Sequence, residues 1–181
     1  MPAPITIVRP RPFPGVPEEL IPVEGKQPNP RQLGSRVLIG WREWLALPDL
    51  GIPGIKAKID TGARSSALHT HDYNVEQVGD RSWVTFHLHP LVHRPDVELT
   101  CRAEVESFRQ VKDSGGHIEN RPFIRTNVML AGIEWPVLLS LTNREGMKFR
   151  MLLGRTALAG RFAVDAGLSY VVSRSLSQVY P

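Results

Sequence analysis

One cysteine, Cys101, stands in 181 residues, so no disulfide can form within the chain and no cysteine-rich metal site exists. No apolar run approaches the roughly 18 residues that a membrane-spanning helix needs. The N-terminus carries no apolar stretch behind a basic patch, so no secretory leader is expected and the cytoplasm is the expected compartment. His-Glu-x-x-His is missing, and with it the helical zinc-protease site. Gly-x-x-x-x-Gly-Lys-Ser/Thr is missing too, and with it a loop that cradles nucleotide phosphates. Basic motifs interleaved with aromatics, the usual RNA-reading surface, are also lacking.

What is present suits one folded domain: 41% of residues are hydrophobic and 22% charged. The net charge of +4 favours acidic partners without choosing between peptide and nucleic acid. Nine of the sixteen prolines fall before Gly34, where apolar residues are sparse and aperiodic. Proline cannot donate to a ladder, so residues 1–34 read as an extended or disordered arm, or as an arm that docks on a partner subunit. The domain proper is expected over 35–181.

From Ser35 the pattern is one of short strands and turns. Val37–Leu47 is strand-like, Pro48–Gly54 a turn region, and Ile55–Ile59 an alternating strand that ends at Asp60. Tyr73–Val78 and Trp83–His89 flank a Gly79-Asp80 turn. Val97–Val111 and Arg121–Leu130 flank a loop at Lys112–Gly116. Ile133–Leu141 and Phe149–Leu153 follow as strands, Arg155–Ala159 as a short helix, and Phe162–Val172 as a last strand or two. Many short strands with turns between them predict an all-β barrel or sandwich.

The chemistry centres on Ile59-Asp60-Thr61-Gly62-Ala63. A carboxylate at the end of an apolar strand is costly unless hydrogen-bonded, and a tight turn with a neighbouring hydroxyl supplies such bonds. Asp-Thr-Gly alone is also an ordinary turn. Two further stretches accompany it: Ser114-Gly-Gly-His-Ile-Glu-Asn-Arg-Pro122 and Leu153-Gly-Arg-Thr-Ala-Leu158. Together with Ile59–His69, these resemble the retropepsin-like aspartic proteases, in particular a bacterial branch associated with RimK-type glutamate ligases. The resemblance spans Ser35 to Arg174.

That resemblance implies a retropepsin-like closed β-barrel with one short C-terminal helix, and Asp60 as the catalytic carboxylate. Thr61 would bridge the dyad, Gly62 would offer a carbonyl to substrate, and Ala63 would line the groove. Leu153, Gly154 and Arg155 would pack behind the turn. The Gly115-Gly116 loop would be the flap, although Gly-Gly is equally an ordinary hairpin tip. An aspartic protease needs two carboxylates that share a proton. Asp165, in Val164-Asp165-Ala166-Gly167, has an apolar approach and a following glycine but no threonine. With one Asp60 per chain, the site requires a homodimer.

The same resemblance implies glutamate-rich substrates, such as a polyglutamylated ribosomal protein, and a RimK-type ligase as a further partner. Arg64, Arg121, Arg144 and Arg150 are the candidate substrate contacts, since an arginine fork holds a carboxylate with two parallel bonds. Lys148 lies in the same segment as the last two. Lys56 and Lys58 read instead as the solvated face of their strand. Members of the branch carry the label of ATP-dependent zinc proteases. Here His69 and His71, and likewise His87 and His89, are two apart and would share a strand face, with His93 as a third ligand. Half-exposed strand histidines are commoner than ligands, so neither metal nor other cofactor is expected. The alternative to a peptidase is a non-catalytic β-barrel adaptor that binds a ligase, ribosomal protein or RNA through its basic surface.

Overall fold

The computed structural model describes residues 32–112, 116–143, 148–172 and 175–180. Its twelve strands are β1 Gln32–Leu33, β2 Arg36–Gly40, β3 Arg42–Leu47, β4 Ile52–Asp60, β5 Ser66–His69, β6 Asp72–Val78, β7 Arg81–Leu88, β8 Leu99–Lys112, β9 Ile118–Leu130, β10 Ile133–Thr142, β11 Met151–Gly154 and β12 Phe162–Asp165. One short helix, α1, covers Arg155–Leu158. Six strands close a barrel in the order β10-β5-β11-β4-β3-β9, with β9 returning to β10. The sheet continues from β9 through β8, β7 and β6, and β1-β2-β12 form a separate three-stranded sheet. This is the closed barrel that the resemblance implies, and one of the two all-β architectures, barrel or sandwich, that the strand pattern allows.

Alternation decides which side chains fill the barrel. On β4, Ile55, Ala57 and Ile59 are buried while Lys56 and Lys58 point outward. They meet Leu68, Leu139, Leu141, Met151 and Leu153 in one core cluster. A closed barrel leaves its backbone no free edge.

The strand expected over Val37–Leu47 is divided at Trp41 between two sheets. Trp41 N donates to Leu168 O at 2.9 Å, and Trp41 O accepts from Ile59 N at 2.8 Å, so one residue ties β4 of the barrel to the turn that follows β12. β4 begins at Ile52, three residues earlier than the alternation indicates. Pro53 fits because the β3–β4 register shifts between Leu45 and Leu47, so its missing N–H falls at an irregularity. β5 was not expected, and four residues with two small side chains give little periodicity. The last segment is shorter than predicted: β12 stops at Asp165, where Ala166-Gly167 turns the chain. Pairing of β1 with β2 begins within the stretch read as an arm, at Gln32; residues 1–31 lie outside the described residues.

β8 and β9 form a long antiparallel hairpin, paired from Val105↔Ile124 out to Lys112↔Ile118. Its outer part carries exposed Phe108 and Ile118. Gly115, at its tip, lies outside the described residues; Gly116 has φ +89°, which favours glycine. No helix among the described residues is long and apolar enough to cross a membrane.

Candidate active site

β4 and β11 run parallel, with Leu153 beside Ile59 and Gly154 beside Asp60. The turn that follows Asp60 folds back over the end of β11. Gly154 allows that approach: a Cβ there would lie 2.5 Å from Ser65 O and 3.0 Å from Arg64 O. The first amides of a helix have no partner within it. Here Arg155 N donates to Ala63 O at 2.9 Å and Thr156 N to Arg64 O at 3.2 Å. Thr156 Oγ1 donates to Arg64 O at 2.8 Å, and Gly154 N donates to Ser66 Oγ at 3.0 Å. Arg155 Nη1 reaches Gly62 O at 3.4 Å. The turn is therefore fixed at Gly62, Ala63, Arg64 and Ser66 by β11 and α1.

Asp60 sits at the rim of this frame with its side chain 22% exposed. Its Oδ1 accepts from Ala63 N at 3.1 Å, and its Oδ2 lies 3.1 Å from Lys58 Nζ. Partial burial is the largest single influence on its pKa and raises it. The Lys58 bond and charge and the amides of Ala63 and Gly62 together outweigh burial and hold the carboxyl below its ordinary value. Among the described residues, no second carboxylate contributes to that balance. Thr61 and Gly62 are exposed and Ala63 is half-buried. Thr61 and Arg155 line one shallow groove with Arg36 and the Phe162–Val164 strand. Arg64 and Ser65 line another, whose opposite wall is the β8–β9 hairpin with Arg109, Lys112 and Phe123.

The other sequence candidates are dispersed. Asp165 is exposed, and its Oδ1 accepts from Gly167 N at 2.8 Å within its own turn. Arg121 is buried, with Nε 2.7 Å from Glu119 Oε2. Arg150 lies at the opposite end of β11 from Gly154, where its carbonyl accepts from His69 N. Arg144 lies outside the described residues, and Lys148 is exposed. Lys56 stands over the Trp44 ring at 5.1 Å. Lys58 departs from its reading as a solvated strand residue: alternation does place it outward, but its ammonium is bound to Asp60. Alternation gives the strand face and says nothing of a partner two residues on, although i and i+2 share a face. Arg109 and Lys112 were also missed, because a hairpin's curl over the barrel leaves no local signal. Cys101 is buried, which pushes its thiol up to about 12 and leaves it inert as a nucleophile.

A parallel strand pair, an Asp-Thr-Gly turn locked on Gly-Arg-Thr, and a long hairpin along one wall of the neighbouring groove define a retropepsin-like barrel. The family model "RimB-like: Retropepsin-like aspartic endopeptidase RimB" matches residues 38–175, and the chain belongs to that family. It is 39% identical over 140 residues to a probable alpha-L-glutamate ligase of Shewanella halifaxensis, covering 77% of this chain and 31% of the relative. A probable alpha-L-glutamate ligase of Desulfotalea psychrophila is 38% identical over 150 residues, covering 81% of this chain and 32% of the relative. The chain thus spans under a third of the curated relatives it matches. A solved structure of a Legionella pneumophila protein of unknown function superimposes with a TM-score of 0.63 at 26% identity, over 75% of this chain and 98% of that one.

Proposed function

We propose that the protein is an aspartic peptidase whose active site forms between two copies of the chain, each supplying Asp60. The observation that carries this reading is a half-buried carboxylate held on a fixed turn, with the groove beyond Arg64 beside it and no second carboxylate among the described residues acting on it. Two carboxylates brought together by a twofold axis cannot both ionise, so the pair would share one proton. The ionised member takes a proton from water as the water oxygen bonds to the scissile carbonyl carbon. The protonated member gives its proton to the carbonyl oxygen. Collapse of the tetrahedral intermediate breaks the C–N bond, and the nitrogen leaves with a proton from the pair.

The substrate we assign is a glutamate-rich peptide. Arg64, Arg109 and Lys112 line the groove beside the turn and suit side-chain carboxylates. The names of the matched relatives support a working association with a glutamate ligase, whose product would be such a peptide. Arg121 and Arg150 are not retained as contacts, since one is tied to Glu119 and the other lies at the far end of β11. The β8–β9 hairpin is the natural cover for the groove. Cleavage of an oligoglutamate-tailed peptide by wild type and by Asp60→Asn tests the reading. Loss of cleavage in a variant that still folds is expected; surviving cleavage overturns the aspartic mechanism. A fold that binds such peptides with equal affinity in both forms and cleaves neither would be an adaptor.

A further inference from the structure

Three histidines stack on the barrel at the end of β5 remote from Ser66 and the Asp60 turn. The His71 ring lies 4.9 Å from that of His89 and 5.9 Å from that of His87, at interplanar angles of 18° and 25°. Glu98, just before β8, faces them: its Oε1 is 3.0 Å from His71 Nε2 and 4.0 Å from His89 Nε2. One ring nitrogen each of His71 and His89 and a Glu98 oxygen all lie within 4.8 Å of one another. Ligands around a tetrahedral zinc at its usual bond length stand about 3.3 Å apart, and the two measured separations bracket that value.

The tautomers suit a cation. His89 Nδ1 lies 3.1 Å from Val97 O, and a carbonyl can only accept, so Nδ1 carries the hydrogen and Nε2 presents its lone pair. His71 Nδ1 is buried without a hydrogen-bond partner, which leaves Nε2 as its accessible nitrogen. The backbone fixes His71 from both sides: its N–H donates to His87 O at 3.1 Å, and its carbonyl accepts from Asn143 Nδ2 at 2.8 Å. The three side chains are about a third to a half exposed, so an ion can enter from solvent.

We propose that His71, His89 and Glu98 form a zinc-class divalent-cation site with a fourth position open to water. Two neutral imidazoles and one carboxylate match the preference of borderline cations. The ion would pin the His89–Glu98 connection between β7 and β8 to the end of β5. It plays no part in the chemistry assigned to Asp60. His93, the third ligand that sequence spacing suggests, is exposed and outside the set; the carboxylate of Glu98 takes its place. His87 is bound through Nδ1 to Asp72 Oδ1 at 2.6 Å and is not assigned as a ligand.

The test is direct binding of Zn²⁺ and Co²⁺ to the full chain by calorimetry, with the visible spectrum of the cobalt form. One equivalent bound, a four- or five-coordinate cobalt spectrum and a raised unfolding midpoint with Zn²⁺ are expected. His89→Gln and Glu98→Gln should each weaken binding at least about tenfold, with circular dichroism as in wild type. Binding that is absent, or unchanged in both variants, overturns the proposal. So does a His87→Gln variant that loses as much affinity as His89→Gln, since the ion would then sit in the neighbouring His71, Asp72 and His87 set.

Discussion

Two turns in this molecule follow the same plan and differ in one respect. Each ends a strand of a parallel pair at an aspartate: Asp60 beside Gly154, and Asp165 beside Gly40. Each folds back over a glycine that leaves room for its carbonyl. A Cβ on Gly154 would meet Ser65 O at 2.5 Å, and one on Gly40 would meet Leu168 O at 2.4 Å. The Asp165 turn is shorter, and its carboxylate is exposed and spends one oxygen on Gly167 N. The Asp60 turn is longer, braced by Arg155 and Thr156, and keeps its carboxylate half-buried with Lys58 on the second oxygen. The turn frame recurs within the chain, and the poised carboxylate does not. On this account the second carboxylate has to come from a second chain.

The largest expected contrast is between the aspartates themselves. Asp60→Asn should lower peptide cleavage by about a thousandfold or more, a loss of roughly 4 kcal/mol of transition-state stabilisation. Asp165→Asn should stay within about twofold of wild type, as read by initial rates. Comparable losses in both would collapse the distinction between the turns. Gly154→Ala and Gly40→Ala should each cost about 2 kcal/mol of stability in denaturant unfolding, because backbone must move to admit the methyl group. Gly154→Ala should also depress the activity of the folded fraction, and Gly40→Ala should not. Thr156→Val removes one solvent-exposed hydrogen bond to Arg64 O and should cost about 0.5 kcal/mol.

The smallest effect concerns pH. Lys58 holds Asp60 below its ordinary pKa, so Lys58→Met should move both limbs of a bell-shaped activity profile to higher pH. The sign for stability agrees. A depressed folded pKa contributes stability above the unfolded value and loses it as pH falls through the folded one. Lys58→Met should therefore flatten the acid side of the stability curve. An unmoved profile would mean that Lys58 leaves Asp60 when the second chain arrives.

Much of this was legible in the sequence because it is local. Alternation over Ile55–Ile59 and the glycine of Asp-Thr-Gly mark a strand end and a turn without reference to any other segment. The long hairpin around Gly115-Gly116 and the short helix after Gly154 are equally local. What was not legible depends on distant segments meeting. β5 is recognisable only once β10 and β11 flank it. Glu98 becomes a neighbour of His71 only because β7 pairs with β6 on one side and β8 on the other, and nothing at 98 in the sequence points to 71. Arg150 looked close to the site because it precedes Leu-Leu-Gly-Arg by a few residues, yet an extended strand carries it about 13 Å from Gly154.

The most direct test of a site shared between chains is a mixing experiment. Wild type and Asp60→Asn are unfolded together in equal amounts, refolded, and assayed on an oligoglutamate-tailed peptide. If each site needs Asp60 from both chains, only wild-type pairs cleave, and activity falls to about a quarter of that of the same total of wild type. Activity at about half would mean that each chain works alone with its own Asp60, and about three quarters that one Asp60 suffices in a shared site; either result would contradict the shared dyad.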